Sequence, residues 1–228
     1  MHAIVLAGGF GKRLNGVVPN LPKPMAPIHD QPFLAYLLNY LQQQGIRKIT
    51  FSVHYLHEFI QNFFKTKFNQ LDIHYAIEEQ PLGTGGAILH ALRFVDKAQP
   101  VFVINGDTFV KLNYQAMYRQ HIAEQALLSL SLREVADCSR YGKVIMEEQV
   151  AISFKEKGEL GAGLINAGVY LLNPDLFTPF NLPQQFSFET DFLFPQMSKL
   201  KPQVYITEDY FIDIGIPEDY ARAQQELG

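Results

Sequence analysis

The sequence predicts an α/β fold with a mixed, mostly parallel central sheet and a smaller β-rich part. In the first half, short apolar runs typical of buried parallel strands alternate with segments of helical periodicity. From about residue 126 onwards, short strands follow one another closely and are separated mainly by turns. We therefore expect a single domain in two parts, residues 1–125 and residues 126–228.

Composition narrows the class of protein. The 228 residues suffice for one sizeable core, and 47% hydrophobic with 18% charged residues argues against disorder. A net charge of -4 argues against a broad nucleic-acid or membrane-surface footprint. The single cysteine, Cys138, excludes an intrachain disulfide framework, and no apolar run approaches the length of a membrane span. We expect a cytoplasmic enzyme or binding protein.

The loop at residues 6–14 follows the first predicted strand, residues 3–6. It carries three glycines and then Lys12 and Arg13, so it exposes backbone groups and positive charge to an anion such as a polyphosphate. It is not a dinucleotide fingerprint, because Leu14 replaces the third glycine. It is not a P-loop either, because Arg13 follows Lys12 where Ser or Thr is required. The alternative is a glycine-rich turn with a solvated basic tip.

A second cation, Lys23, lies between prolines in the segment 21–27. Proline fixes its own backbone angle and restricts the preceding residue, so we expect an extended, non-helical frame that aims this lysine. A second glycine-rich turn, at residues 83–86, opens a predicted helix. Its glycines permit close approach of a flat ring, whose edge Gln80 and exposed amides could read. A plain strand-to-helix turn is the alternative.

Periodicity predicts the remaining elements. Helices are expected over 33–44, 56–64, 87–94, 114–125, 218–227 and a segment introduced by 186–191 that ends at 199. Strands are expected over 46–53, 73–77, 101–104, 127–135, 142–146, 151–154 and 165–171. Asn166 is the polar residue of the last strand, so it either links strands or contacts a ligand. The aromatic segment 177–194 is either core packing or a dimer surface.

Two aspartates indicate a metal. Asp107 follows the apolar strand 101–104, and ligands of open α/β sheets bind beyond the carboxyl ends of strands. A carboxylate near a polyphosphate would repel it unless a cation intervened, which points to Mg²⁺. Asp213 is a second carboxylate, close to Gly215. A capping or turn role for Asp107 is the alternative.

These motifs, taken together and in this order, resemble the sugar-1-phosphate nucleotidyltransferases, the nucleoside-diphosphate-sugar pyrophosphorylases. The matching segments are 6–14, 21–28, 81–87, 105–108, 154–157, 166–170 and 213–217. Lys12 stands where threonine is more usual. The resemblance implies a GT-A-like Rossmannoid three-layer sandwich with a smaller β-rich sugar-binding lobe. Within the family, the motifs most resemble the guanylyltransferases that act on D-glycero-α-D-manno-heptose 1-phosphate.

The resemblance implies transfer of a nucleotidyl group from an NTP, expected to be GTP, to a sugar 1-phosphate with release of pyrophosphate. The implied catalytic residues are Arg13, Lys23 and Asp107, and the implied Mg²⁺ ligands are Asp107 and Asp213. The implied nucleotide-binding residues are Leu6, Ala7, Gly8, Gly9, Gly11, Lys12, Arg13, Gln80, Gly83 and Thr84. The implied sugar-phosphate-binding residues are Lys143, Glu156, Lys157, Asn166, Gly168 and Glu189.

Other activities are compatible with much of this pattern. A uridylyl- or cytidylyltransferase of the same fold, acting on another sugar phosphate or on phosphocholine, shares most of the motifs. A non-catalytic nucleotide sensor is a more distant alternative, since a binder needs neither a leaving-group cation nor both carboxylates. The expected partners are the NTP and the sugar 1-phosphate, with no nucleic acid and no membrane, and a homodimer remains open.

Overall fold

The computed structural model describes residues 1–9, 18–155, 158 and 160–227. Its helices are α1 (Phe33–Gln43), α2 (His57–Phe64), α3 (Gly83–Ala91), α4 (Tyr114–Ala123), α5 (Phe194–Leu200) and α6 (Pro217–Glu226). Its strands are β1 (His2–Leu6), β2 (Pro27–Ile28), β3 (Gln31–Pro32), β4 (Lys48–Val53), β5 (Lys67–Phe68), β6 (Leu71–Ile77), β7 (Val101–Asn105), β8 (Thr108–Val110), β9 (Leu128–Val135), β10 (Lys143–Glu147), β11 (Val150–Lys155), β12 (Gly163–Leu172), β13 (Gln203–Thr207) and β14 (Phe211–Asp213).

A mixed central sheet organises the described part of the chain. Its ten strands lie in the order β10-β11-β13-β9-β12-β7-β1-β4-β6-β5. The neighbouring strands β7, β1, β4 and β6 are parallel, as are β9 and β13. Strand β12 joins β7 in the antiparallel direction, so the β-rich second half continues the same sheet. The smaller pair β8 and β14 is antiparallel and stands outside this sheet.

Alternating side chains on the strands build a core on each face of the sheet. On β1, Ala3 and Val5 belong to one buried cluster, whereas Ile4 belongs to the other. The first cluster includes residues of α1, α2, α4 and α6, and the second includes residues of α3 and α5. Helices therefore cover both faces, which confirms the predicted α/β sandwich of three layers.

The predicted helices and strands are present, with shifts of a few residues at their ends. Gly45 follows the end of α1 with a φ of 89°, the backbone conformation that a glycine stop requires. The extended frame predicted around Lys23 is wrong in one respect. Lys23–Met25 forms a single 3-10 turn, which Pro24 tolerates because the first turn of a helix needs no donated N–H.

Further segments differ from expectation or decide an open alternative. Helix α3 begins at Gly83, so the second glycine-rich turn lies inside the helix and not before it. Strand β13 and the short strands β2, β3, β5, β8 and β14 were not predicted. The aromatic segment packs inward, since Phe177, Phe186, Phe188 and Phe192 are buried, which favours the core alternative over a dimer surface. Among the described helices, none combines the length and apolar character needed to cross a membrane.

Candidate active site

A cavity of about 720 Å³ opens at the carboxyl ends of the parallel strands, where ligands of open α/β sheets bind. Residues at or just beyond the carboxyl ends of four strands line it, together with the start of α3. They include Leu6 at the end of β1 and Ala7–Gly9 after it, Ser52 near the end of β4, Glu78 after β6, Asn105 at the end of β7 and Asp107 shortly after it, and Gly83, Thr84 and Ala87 of α3. Lys23, Asp213 and Gly215 line the same cavity. The first loop and the two aspartates therefore share one site.

Lys23 and the two aspartates form one charged cluster. The Lys23 Nζ donates to Asp107 Oδ2 at 2.6 Å and to Asp213 Oδ1 at 3.3 Å. About a third of each aspartate side chain is exposed, against 14% of the lysine side chain. The carboxylates are thus open to the cavity while the ammonium is held between them.

Backbone pairing brings the aspartates together from distant parts of the sequence. Asp213 ends β14 and pairs with Thr108 at the start of β8, and the Ile214 N–H donates to the Asp107 carbonyl at 3.0 Å. Gly106 lets the chain pass close to β1, because a Cβ there would lie 2.8 Å from the Leu6 carbonyl oxygen. The pairing fixes both carboxylates on the same side of the cavity.

The electrostatics of the cluster are dominated by negative charge. Burial raises the pKa of Asp213, the nearby Asp107 carboxylate raises it further, and Lys23 acts in the opposite direction. A second positive charge in this position would favour the ionised forms of both carboxylates. The donor set consists of carboxylate oxygens, which are ligands that Mg²⁺ prefers.

Glu78 also lines the cavity and is almost completely buried. Its Oε1 accepts from the Ser52 hydroxyl at 3.0 Å, and its Oε2 accepts from the Leu82 N–H at 3.1 Å. Gly8 packs beside it, since a Cβ on Gly8 would lie 3.2 Å from Oε1. Neither Glu78 nor Ser52 was predicted as a site residue. The signal for Glu78 was its position directly after the carboxyl end of a predicted strand.

The glycines of α3 serve a contact within the protein. A Cβ on Gly83 would lie 2.5 Å from the Phe186 carbonyl oxygen, and a Cβ on Gly85 would overlap the Phe186 ring. A Cβ on Gly86 would overlap the Gln184 carbonyl oxygen. These glycines therefore allow the segment 184–188 to pack onto α3, and Gly83 alone of the three lines the cavity. Contact of a flat ring with this turn stays a prediction.

A chain of hydrogen bonds joins α3 to β12 through Glu189. Thr84 Oγ1 donates to Glu189 Oε2 at 2.9 Å, and the Tyr170 hydroxyl donates to Glu189 Oε1 at 2.9 Å. Asn166 Nδ2 donates to the Tyr170 hydroxyl oxygen at 2.6 Å, and the Gly168 N–H donates to Asn166 Oδ1 at 3.0 Å. Both Asn166 hydrogen bonds stay within β12, and the link to other elements runs through Tyr170 and Glu189. Neither strand linking nor ligand contact by Asn166 is therefore decided, and both stay predictions.

The structure relates the remaining predicted site residues less directly to the cavity. Lys143 lies along Gly163, and its Nζ donates to the Ala162 carbonyl at 3.3 Å. Gln80 is exposed and is not among the described residues that line the cavity. Gly11, Lys12, Arg13, Glu156 and Lys157 lie outside the described residues.

The fold and the site define a class of protein: a strand that leads into a glycine-rich loop, a lysine and a pair of carboxylates in one cavity fit a nucleotidyltransferase. The chain belongs to the nucleotidyl transferase family, whose profile matches residues 2–228.

Particular relatives narrow the comparison. The chain is 46% identical over 227 residues to a D-glycero-alpha-D-manno-heptose 1-phosphate guanylyltransferase of Aneurinibacillus thermoaerophilus, an alignment that covers 100% of the chain and 98% of the relative. It is 45% identical to the enzyme of the same name from Campylobacter jejuni, covering 96% and 97%. The crystal structure of HddC from Yersinia pseudotuberculosis superposes with a TM-score of 0.89 at 37% identity, covering 100% of the chain and 99% of HddC. HddC has also been solved in complex with GMP-PN.

Proposed function

We propose that the protein transfers GMP from GTP to D-glycero-α-D-manno-heptose 1-phosphate and releases pyrophosphate. The identity to two enzymes of that name, over nearly the whole length of each, supports this substrate pair. The observation that carries the choice of base is the Glu78 carboxylate in the cavity. We place the reaction in the cytoplasm, with residues 1–125 as the nucleotide part and 126–228 as the sugar-phosphate part.

The Glu78 carboxylate suits guanine better than the other bases. An ionised carboxylate only accepts hydrogen bonds, and guanine presents two adjacent donors, N1–H and the N2 amino group. Uracil and thymine present one N–H between two carbonyl oxygens, and adenine and cytosine place a ring acceptor beside the amino group. Each of those edges would set an acceptor against the carboxylate. Ser52 and the Leu82 N–H hold the carboxylate in place and leave its outer lone pairs for the base.

The phosphates would lie at the Lys23 end of the cavity. One oxygen of the sugar phosphate attacks the α-phosphorus, the bond from that phosphorus to the bridging oxygen breaks, and pyrophosphate leaves. The attacking phosphate is already an anion near neutral pH, so positioning and charge neutralisation carry the catalysis. Lys23 would neutralise charge on the α-phosphate and the sugar phosphate, and Arg13 would do so on the leaving pyrophosphate.

Asp107 and Asp213 would hold Mg²⁺. Two carboxylates facing one ammonium fit a divalent cation that completes its coordination with phosphate oxygens and water. The bound ion would supply neutralisation of charge on the phosphates. On the sugar side, Lys157 is the proposed phosphate clamp, and Glu156, Asn166 and Gly168 are the proposed contacts to hydroxyls, with Lys143 and Glu189 as additional candidates.

The test is pyrophosphate release across four NTPs and several sugar 1-phosphates, with wild type and Glu78→Gln compared. Wild type should favour GTP with the heptose phosphate. Glu78→Gln should lower kcat/KM for GTP by about tenfold to a hundredfold, the range for losing a paired base contact. Equal or better turnover of UTP or CTP by wild type would replace the guanylyl assignment. Nucleotide binding without turnover on any sugar phosphate would favour a sensor.

Ser52→Ala is the matched control for Glu78→Gln. It removes the hydroxyl that donates to Glu78 Oε1 and keeps the carboxylate itself. We expect a smaller loss for GTP in this variant, because the base would keep both acceptors. A larger loss in Ser52→Ala than in Glu78→Gln would contradict direct reading of the base by Glu78.

A further inference from the structure

Asn105 lines the cavity and has no role in the predicted site. It is the last residue of β7, two positions before Asp107, and its side chain is half-buried. It lies between Leu6 of β1 on one side and β12 on the other. Within the part of the chain that the structure describes, no hydrogen bond engages its side-chain amide. An amide with this location and no such partner can bind a ligand.

Strand β12 leaves a seat for the Asn105 side chain. A Cβ on Gly168 would lie 2.7 Å from Asn105 Nδ2, and Gly168 has a φ of 73°, which favours glycine. The pairing of β12 with β9 shifts register between Asn166 and Tyr170, so a bulge surrounds this glycine. Bulges of this kind re-aim side chains beside functional sites.

The neighbouring asparagine is engaged within the protein. Asn166 uses its Nδ2 for the Tyr170 hydroxyl and its Oδ1 for the Gly168 N–H, and it is not among the described residues that line the cavity. Its hydrogen bonds hold the bulge in which Gly168 lies. The geometry thus separates a residue that shapes the seat, Asn166, from one that faces the cavity, Asn105.

The chemistry of the amide selects the ligand class. In the proposed function, Lys23 would bind phosphate oxygens, and the carboxylates of Asp107 and Asp213 would bind a metal. A neutral amide offers both donors and an acceptor, and a hydroxyl uses both kinds of partner. We propose that Asn105 binds a hydroxyl of a sugar ring, either the nucleotide ribose or the acceptor sugar, and that Gly168 provides its seat. This inference rests on the proposed function, which supplies both rings.

The experiment compares wild type, Asn105→Ala and Asn105→Asp as full chains, with GTP, 2′-deoxy-GTP, 3′-deoxy-GTP and the heptose 1-phosphate. Loss of one hydrogen bond should raise the KM of one substrate about five- to tenfold. A ribose contact predicts that wild type discriminates against one deoxy nucleotide and that Asn105→Ala does not. An acceptor contact predicts a raised KM for the sugar phosphate with unchanged discrimination against deoxy-GTP. Unchanged KM values together with unchanged discrimination would overturn the proposal.

Asn39→Ala is the control, because Asn39 pairs with Asn69 and is not among the described residues of the cavity. A failure of the proposed function can be distinguished from a failure of the inference about Asn105. If wild type does not use the heptose phosphate, the proposed function fails. A calorimetric comparison of the binding of GTP and of the deoxy-GTPs then still tests the contact between Asn105 and the ribose. The contact to the acceptor sugar is then tested by the KM of whichever sugar phosphate the enzyme turns over.

Thermal unfolding tests separately whether Gly168 provides the space for the Asn105 side chain. Gly168→Ala should lower Tm because its new methyl group meets Asn105 Nδ2. In the Asn105→Ala background the loss should shrink, leaving the part due to the positive φ. Equal losses in the two backgrounds would show that Gly168 does not serve Asn105.

Discussion

Among single residues, Lys23 sets the charge balance at the end of the cavity where we propose that the phosphates bind. Its ammonium group faces the carboxylates of Asp107 and Asp213, so the three groups carry a surplus of negative charge. Burial raises the pKa of Asp213, the Asp107 carboxylate adds a smaller rise, and Lys23 acts in the opposite direction. A phosphate at this end would add further negative charge, which the proposed Mg²⁺ would offset.

We expect Asp107→Asn and Asp213→Asn each to lower kcat by about a hundredfold or more, because charge stabilisation at the phosphates is lost. Each amide is isosteric with the carboxylate, so the fold should persist, as judged by Tm. Calorimetric titration with Mg²⁺ and a non-hydrolysable GTP analogue should show weaker metal binding in both variants. Near-normal activity and unchanged metal affinity in either variant would remove that residue from the proposed metal site.

At the scale of elements, the contact between α3 and the segment 184–188 is a tight one. A methyl group on Gly85 would overlap the Phe186 ring, and the Gly85 N–H donates to the Phe186 carbonyl at 2.9 Å. Gly85→Ala should therefore cost about 1–3 kcal/mol of unfolding free energy, as overpacking does. Thermal unfolding should show a Tm lower by several degrees. Gly9→Ala is the control and should leave Tm nearly unchanged, because a Cβ on Gly9 meets no described residue within 4 Å.

Two histidines, the partly buried His2 in β1 and the buried His121 in α4, should make stability depend on pH. Burial, with a smaller contribution from Lys48, lowers the pKa of His2 to about 4, and burial lowers the pKa of His121. Both histidines therefore bind a proton less readily in the native state than in the unfolded chain, which takes up protons below about pH 6.5. The unfolding free energy should therefore be undiminished by these histidines above about pH 6.5, and it should fall as the pH drops towards 4.

Urea unfolding at about pH 7.5 and about pH 5 measures this dependence. His2→Gln and His121→Gln should each reduce the difference between the two pH values, although His121→Gln also loses hydrogen bonds to Ser129 and Asn173. The exposed His29 provides the control, and His29→Asn should keep the full difference. If His2→Gln and His121→Gln both retained the full difference, the pH dependence would belong to other groups.

The sequence predicted helices and strands well where residues close together in the chain determine their ends. The apolar stripe of α1 and the glycine after it marked both ends of that helix to within a residue. The role of the glycines in α3 could not be predicted, because it depends on Phe186, which is distant in sequence. Strand β13 was missed for a similar reason, since it is placed by parallel pairing with the distant β9.

At the scale of the whole molecule, the cavity joins the two ends of the chain. Leu6 ends the first strand and Ala7–Gly9 follow it, while Asp213 and Gly215 precede the last helix. Family resemblance predicted both aspartates, but the pairing of β8 with β14 that brings them together is not visible in the sequence. Glu78 and Asn105 were missed because their relevance depends on which side chains face the cavity, which only the assembled sheet determines.

Because the cavity connects distant parts of one sheet, a nucleotide that fills it should stabilise the whole fold. A ligand at a hundred times its Kd adds about 2.7 kcal/mol, which is roughly 5–11 °C in Tm for a chain of this size. GTP with Mg²⁺ should produce this shift in a single cooperative transition, and UTP at the same concentration should produce less. Glu78→Gln should reduce the shift with GTP, because the contact to the base would be weakened. Equal shifts with GTP and UTP in wild type would mean that the cavity reads phosphates and not the base.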